Sequence, residues 1–364
     1  PRRGTLGYFD YKEQCLKTYY ADPALPETRF TPTMLLHFLD RQGNLWYTGT
    51  SGLYRITLRP DDIRYRTLDA GHDTRALMTD RHNRLWVATK GGYVRIFNAD
   101  LTLEGYLGSD GAIHKTPTRF VGNVYKILET KEGDLWMGTR LRGLCHLQPV
   151  GENRYRITHY RHDPNDPFSI SGDSVFDLFI DSRNRLWVGS YDGGINLVQQ
   201  DAGKVRFLHA GNYFSQYPIE LGANIRAIEE KDDALMLGTI SGLITFPLDF
   251  TEGKQVPFYI NRMRPEDSYS LPANDIHSMF TDSRGDCYAM SFTGGICRVL
   301  SPSLLSDSIR FHTFNNKYGL QSELTHTMRE DRNGMLWVIS ENSINRFNPK
   351  TESFESYGER QRIY

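Results

Sequence analysis

The sequence predicts an all-β fold, a seven-bladed β-propeller of four-stranded antiparallel blades. The first observation is a repeat: a turn followed by Leu-Trp returns with its key position at 46, 86, 136, 187, 236, 288 and 337. All five Trp residues of the 364-residue chain stand at that position, and Met236 and Tyr288 fill the two remaining copies. The second is the content of each period of ~49 residues: four β-prone runs broken by turn residues. The third is the want of a helical signal, since no stretch of about 12 residues carries a 3.6-residue apolar period. Small hairpins cannot hold themselves together in water, and four-stranded units repeated in series fit blades arranged around a channel. WD-type repeats run near ~40–45 residues and kelch near ~50, and the Trp-Asp dipeptide is absent, so this repeat is of another sequence class.

The clearest copy runs from Asp181 to Val198. Leu186-Trp187-Val188 and Ile195 to Val198 are β-prone. Between them Asp192-Gly193-Gly194 supplies the positive-φ residues of a hairpin turn. Asp181 caps the preceding turn, which Asn184 helps to close. Inner strands are expected at Met34–Leu39, Thr74–Thr79, Val124–Leu128, Val175–Ile180, Ile225–Glu229, Ile276–Thr281 and Thr325–Arg329. Outer strands are expected at Ile63–Leu68, Val205–His209 and Arg310–Phe314, among others. The Trp side chains should wedge between neighbouring blades, where a large ring buries most surface. Residues 5–20 read as a strand pair without its Trp motif: Phe9 aligns with Phe347, Asp10 with Asn348, Leu16 with Phe354 and Tyr19 with Tyr357. The expected boundaries are residues 1–22, an outer strand pair of an upstream or closing blade, and residues 23–364, the seven-repeat propeller. Residues 5–20 are expected beside the ring or in a blade completed outside this window, with Arg360 to Tyr364 beginning the missing inner strand.

A net charge of −1 leaves no global field to draw the chain to nucleic acid or an anionic membrane. No apolar run approaches the ~20 residues of a membrane helix. The chain starts at Pro1 in mid-pattern without a signal peptide, and reads as a window cut from a longer protein. Its four Cys are expected to be free and mostly buried, so they do not assign a compartment. The Asp-led turns invite a calcium reading, but each such loop carries a basic residue (Arg41, Arg81, Arg183, Arg284, Arg332), which favours turn capping. The His residues lack zinc spacing, and no nucleophile elbow, P-loop or His-Glu-x-x-His motif occurs. No metal, cofactor or catalytic residue is expected.

The pattern Asp-x-x-Gly-x-Leu-Trp-x-Gly-Thr-x-x-Gly-Leu resembles the two-component regulator propeller repeat. The connector from His162 to Ser171 is also similar to that family's link between repeats, and Arg264 to Leu271 is a looser version. The departures fall in copy five, which lacks both Asp and Trp, and in copy seven, where Glu341-Asn342-Ser343 replaces the Gly turn; local distortion is expected there. The resemblance implies the periplasmic sensor part of an inner-membrane hybrid two-component system in gut Bacteroidetes. The full-length protein would be a histidine kinase, with a second propeller and an Ig-like module in the same chain, and a homodimer. For these residues it implies an oligosaccharide ligand, no nucleic acid and no enzymatic role. The alternatives are a propeller lyase or other propeller enzyme, and a protein-interaction scaffold.

Topology places the site. In an up-and-down blade the Gly turns and the blade connectors share one face, and those segments are the chemically varied ones; function on such scaffolds lives in variable loops. From the turns the candidates are Lys90, Arg140, Arg142, Tyr191, Asp192 and Phe292. From in and around the inner strands they are Arg75, Arg119, Asn123, Lys126, Asn274, His277 and His326. Arg and Lys on that face, opposed only by Asp73 and Asp110, suit carboxylates and sulfates. The expected ligand is therefore an acidic oligosaccharide, with Tyr191 and Phe292 available to stack on sugar faces.

Overall fold

A computed structural model describes residues 6–10, 14–19, 34–39, 44–49, 52–57, 68, 73–201, 203–251, 255–341 and 343–357. The chain divides into two compact units, Pro1–Leu68 and Asp69–Tyr364. In the first, Leu6–Asp10 pairs antiparallel with Cys15–Tyr19 as a two-stranded sheet, and Met34–Leu39, Asn44–Gly49 and Gly52–Thr57 form a three-stranded one. Of the outer strand expected at Ile63–Leu68, all but Leu68 lies outside the described residues, as do Arg360 to Tyr364.

The second unit holds six blades. Their inner strands are Thr74–Thr79, Val124–Glu129, Val175–Ile180, Ile225–Lys231, Ile276–Thr281 and Thr325–Glu330. Each blade is an antiparallel meander of four strands, and the first adds a short fifth, Ile113–His114. The expectation of seven four-stranded blades is therefore corrected to six. Counting Trp positions counts inner strand pairs, whereas a blade also needs its outer strand paired. The copy around Trp46 shows only three strands among the described residues. The copies around Met236 and Trp337, which depart from the motif, pair as complete four-stranded sheets. Among the described residues helix is confined to Ile219–Gly222 and a 3-10 turn at Asn316–Tyr318.

The Asp turn and the Trp are bound to each other. Asp181 Oδ1 accepts the main-chain N–H groups of Arg183 and Arg185 at 3.0 and 2.8 Å. Its Oδ2 accepts the indole N–H of Trp187 at 2.8 Å and Arg185 Nε at 2.6 Å. Asp80 repeats this with Trp86 at 2.9 Å, and Asp331 with Trp337 at 2.8 Å. The indole N–H beside Asp331 holds that carboxyl below the usual carboxylate range. Five of the key residues, Trp86, Trp136, Trp187, Met236 and Tyr288, are almost wholly buried. Each clusters with apolar side chains of the next blade: Trp86 with Ile127, Trp136 with Leu178, Trp187 with Ile228, Met236 with Met279, and Tyr288 with Met328. Polar clamps reinforce alternate junctions. Glu129, Glu230 and Glu330, late in their inner strands, accept the main-chain N–H of Arg81, Ser182 and Ser283 in the preceding blade's turn, at 2.8, 2.7 and 2.7 Å. In the Gly turns backbone geometry decides the residue: Gly143 sits at φ 75°, and a Cβ there would collide with the carbonyl of Tyr160.

Replacing Trp187 with Ala empties a buried wedge and should cost about 3–5 kcal/mol in urea unfolding. Tyr288 buries its hydroxyl without a hydrogen-bond partner among the described residues. Tyr288→Phe should therefore leave the unfolding midpoint unchanged or raise it, because it removes an unsatisfied polar group. A midpoint lowered as far as by the Trp change would mean that the hydroxyl is bonded after all.

Candidate functional site

The inner strands are not regular. In every blade the pairing register slips by one residue just after the strand begins, so that two residues of the inner strand face one of its neighbour. The extra residue is Arg75, Tyr125, Phe176, Arg226, His277 or His326. A bulge of this kind re-aims a side chain out of the pleat. All six line one cavity of about 420 Å³ at the meeting of the inner strands. The repeat thus keeps its Asp, Trp and Gly positions nearly uniform while the bulge position varies among Arg, Tyr, Phe and His.

Four of the six bulge residues belong to a continuous stack. The Arg75 guanidinium lies over Tyr125 at 5.6 Å. Tyr125 stacks on Phe176 with centroids 4.6 Å apart and planes 12° apart. Phe176 stacks on Tyr191 at 4.6 Å and 22°, and the Arg226 guanidinium lies over Tyr191 at 5.3 Å. Tyr191 comes from the Gly turn of the third blade, where its N–H is held by the Ser174 carbonyl at 2.7 Å. Tyr125, Phe176 and Tyr191 are thus held against one another, with a guanidinium group at each end of the series. On the opposite side of the chain order, His277 lies 6.1 Å from Phe292, edge to face, and 6.5 Å from His326.

Farther along the strands the lining includes Lys126, Asp177, Glu229 and Arg329. Asp177 takes Lys126 Nζ at 2.6 Å on one oxygen and the main-chain N–H of Ile228 at 2.7 Å on the other. Burial, with Asp177 nearby, pushes Glu229 up to about 7. Arg226 meets Asp275 at 2.9 Å. Burial pushes His277 down to about 4, with the charges of His326 and Arg226 acting in the same direction.

The structure gathers Arg75, Lys126, His277 and His326 in the cavity lining, with Tyr191 and Phe292 in contact with it through Phe176 and His277. The other expected residues lie outside the lining. Lys90 pairs with Asp73 at 2.9 Å, and Arg119 lies over Tyr93 at 5.8 Å. Asn123 accepts the N–H of Gly91 at 3.0 Å and Asn274 that of Met263 at 2.7 Å, which closes loops. Asp192 accepts the N–H of Ser174 at 3.4 Å. Arg140 and Arg142 stand exposed on a turn and make no ion pair among the described residues. Sequence reasoning missed Tyr125, Phe176, Arg226, Asp177 and Glu229. The first three hold one fixed repeat position, which could have marked them had a bulge been legible there.

Cys145, Cys287 and Cys297 are free and buried, and burial pushes each thiol up to about 12. The side chain of Cys15 lies outside the described residues. Among the described residues no cluster of His, Cys, Asp and Glu has the makings of a metal site, and no helix is long and apolar enough to cross a membrane.

Six antiparallel blades around a variable central cavity define a β-propeller. Residues 169–192, from the end of a connector to the Gly turn of the third blade, match the family model of the two component regulator propeller, in line with the resemblance drawn from the repeats. No curated protein matches the sequence. Among solved structures, virginiamycin B lyase of Staphylococcus aureus superposes with a TM-score of 0.56 over 82% of this chain and 88% of its own, at 13% identity. PorZ, a surface component of the type-IX secretion system of Porphyromonas gingivalis, gives 0.53 over 84% of this chain and 42% of its own, at 13% identity. These likenesses show the fold. The extracellular domain of a proposed one component system of B. thetaiotaomicron aligns with 100% of this chain and 53% of its own, at 16% identity and a TM-score of 0.37. The chain spans about half the length of that domain.

The ionisation of Glu229 gives a test of the cavity's interior. The fold keeps its carboxyl protonated to about pH 7, whereas the unfolded chain ionises near 4.5. Protons are then bound more tightly by the folded state, so this group's contribution to stability is whole below 4.5 and is lost as pH rises to about 7. Glu229→Gln should therefore match the wild type at low pH and unfold at a higher denaturant concentration at alkaline pH. Equal pH profiles for the two proteins would place Glu229 in solvent.

Proposed function

We propose that this chain is the ligand-sensing propeller of a longer extracytoplasmic receptor of the two-component type, and that the ligand occupies the central cavity. The observation that carries the reading is the bulge: each of six blades turns one side chain into the same space, and the six are two Arg, two His, a Tyr and a Phe. A scaffold residue would be repeated with the scaffold. The match of residues 169–192 to the two component regulator propeller supports the receptor context. Family resemblance supplies the finer part: a glycan breakdown product as ligand, control of polysaccharide use as outcome, and a periplasmic position.

The lining favours an acidic oligosaccharide. Arg75, Lys126, Arg226 and Arg329 share the lining with Asp177 and Glu229, and burial leaves Glu229 only partly ionised near neutral pH. Arg forks bind carboxylates bidentately and sulfates in the same manner. Calorimetry of the chain against neutral, uronate-containing and sulfated oligosaccharides tests this. Binding of an acidic member should weaken steeply with salt and fall at least ~tenfold in Arg226→Ala. Arg140→Glu with Arg142→Glu, on an exposed turn outside the lining, should weaken it less. An oligosaccharide bound with salt-independent affinity and indifferent to Arg226 would remove the acidic reading; no binding by any member would remove the saccharide.

An enzymatic reading has one observation in its favour, a carboxyl titrating near 7 in a cavity that also holds two His side chains. Turnover of the bound saccharide, followed by mass spectrometry, separates it from sensing.

A further inference from the structure

Beyond the bulge, equivalent residues of the inner strands form further rings. Paired with the key position of each blade stand Met78, Leu128, Phe179, Glu229, Phe280 and Arg329 in turn. Four of these are apolar. The exceptions, Glu229 and Arg329, belong to the blades on either side of Phe280, and all three residues line the central cavity. Three cations of the lining have a carboxylate: Arg75 meets Asp73 at 3.2 Å, Lys126 meets Asp177 at 2.6 Å and Arg226 meets Asp275 at 2.9 Å. Arg329 has none among the described residues, and its side chain is exposed.

The guanidinium of Arg329 is nonetheless held in place. It lies over the Phe280 ring, 5.9 Å from the centroid, and its Nη1 donates to the Met328 carbonyl at 2.6 Å and the Thr327 hydroxyl at 3.4 Å. Among the described residues Nε and Nη2 make no hydrogen bond, and that edge of a guanidinium matches the two oxygens of a carboxylate. Between Arg329 and the bulge ring stand Ala227, Ser278 and Thr327, equivalent residues of the fourth, fifth and sixth blades. Their side chains are small, which leaves space, and two of them carry hydroxyls. At the same positions the second and third blades place Lys126 and Asp177, whose ion pair takes up that side. Charge narrows the class of ligand. One uncommitted guanidinium balances one negative charge, and a dianion such as inorganic sulfate would leave a second charge unpaired in the cavity. Glu229 is the carboxyl of the ring, and burial pushes it up to about 7, so below neutral pH it adds little negative charge of its own.

We propose that the Nε–Nη2 edge of Arg329 anchors the carboxylate of a small organic acid, with the body of the ligand lying toward Ala227, Ser278 and Thr327. This rests on the reading of the cavity as a ligand site. It names the group that selects an acid there, and it does not depend on the rest of the ligand being a sugar.

The test uses the whole chain, labelled at its Arg side chains and followed by NMR below neutral pH at constant ionic strength. Acetate, lactate and benzoate are titrated into the millimolar range beside their neutral amides and inorganic sulfate. The Arg329 Nε–H signal is assigned by its loss in Arg329→Lys, or in Arg329→Gln if the first variant fails to fold by circular dichroism. At least one carboxylate should shift that signal saturably, its amide should not, and sulfate should bind more weakly. Arg329→Lys keeps the charge and loses the fork, and should weaken the binding at least ~fivefold, read from the ligand's own signals. An Arg329 signal unmoved by every carboxylate overturns the proposal, as does a carboxylate bound equally well by wild type and Arg329→Lys, or sulfate bound more tightly than any carboxylate. Oligosaccharide binding in calorimetry that survives Arg329→Lys would remove the anchor and leave the cavity reading; failure of every acid and every oligosaccharide would remove both.

Discussion

One carboxylate at the head of a turn does the work on which the blades depend. In the third blade Asp181 holds two main-chain N–H groups of its turn, the side chain of Arg185 and the indole N–H of Trp187. An indole is large enough to fill the wedge between blades, but its N–H cannot be buried unpaired without cost. The Asp six residues earlier removes that cost and closes the turn at the same time. Turn geometry, side-chain satisfaction and blade packing are thereby tied to one residue pair. The exceptions support this reading. Met236 has no N–H to satisfy, and no Asp stands six residues before it. Trp136 has Thr130 at the Asp position, and instead stacks on His146 at 4.0 Å, which Asp134 in turn holds at 2.7 Å.

With blade junctions made of apolar wedges and glutamate clamps, the inner strands are free to serve the cavity. The bulge separates the two tasks. Before and after it, side chains such as Val175 and Leu178 are buried in the junctions. At it, one residue per blade leaves the pleat and points to the centre. That arrangement lets the lining vary without disturbing the packing, which is the physical condition for a repeat scaffold to present a specific site.

The connectors, the most varied stretches of sequence, turn out to be closed structures. Ser169 Oγ bonds both ends of its loop, accepting the N–H of Asp163 and donating to the Asp163 carbonyl, at 3.0 and 2.9 Å. Ser270 does the same with Arg264 at 2.9 and 3.0 Å. Arg206 covers Phe168 and Arg310 covers Tyr269. Two connectors of different sequence thus share one closing device, a Ser hydroxyl bonded to the main chain six residues earlier.

The sequence by itself determined the repeat, the turns, the inner strands almost to the residue, and the burial of Trp86, Trp136 and Trp187. These follow from local chemistry: Gly where φ is positive, Asp where amides need a cap, β-branched and aromatic residues where a strand is half buried. It also grouped Arg75, Lys126, His277 and His326, which the structure places in one cavity lining, because topology brings the starts of the inner strands together. What it could not reach was decided by strand register and by packing. The number of complete blades depends on pairing of outer strands rather than on counts of Trp. The bulge depends on register against a neighbouring strand, and with it the exposure of Arg226 and the stacking of Tyr191. The near-neutral titration of Glu229 depends on what lies above it. The stack across blades and the titration of Glu229 join partners that no short window of sequence contains, whereas the bulge is set by register within each inner hairpin, where residue types alone do not choose between regular and slipped pairing.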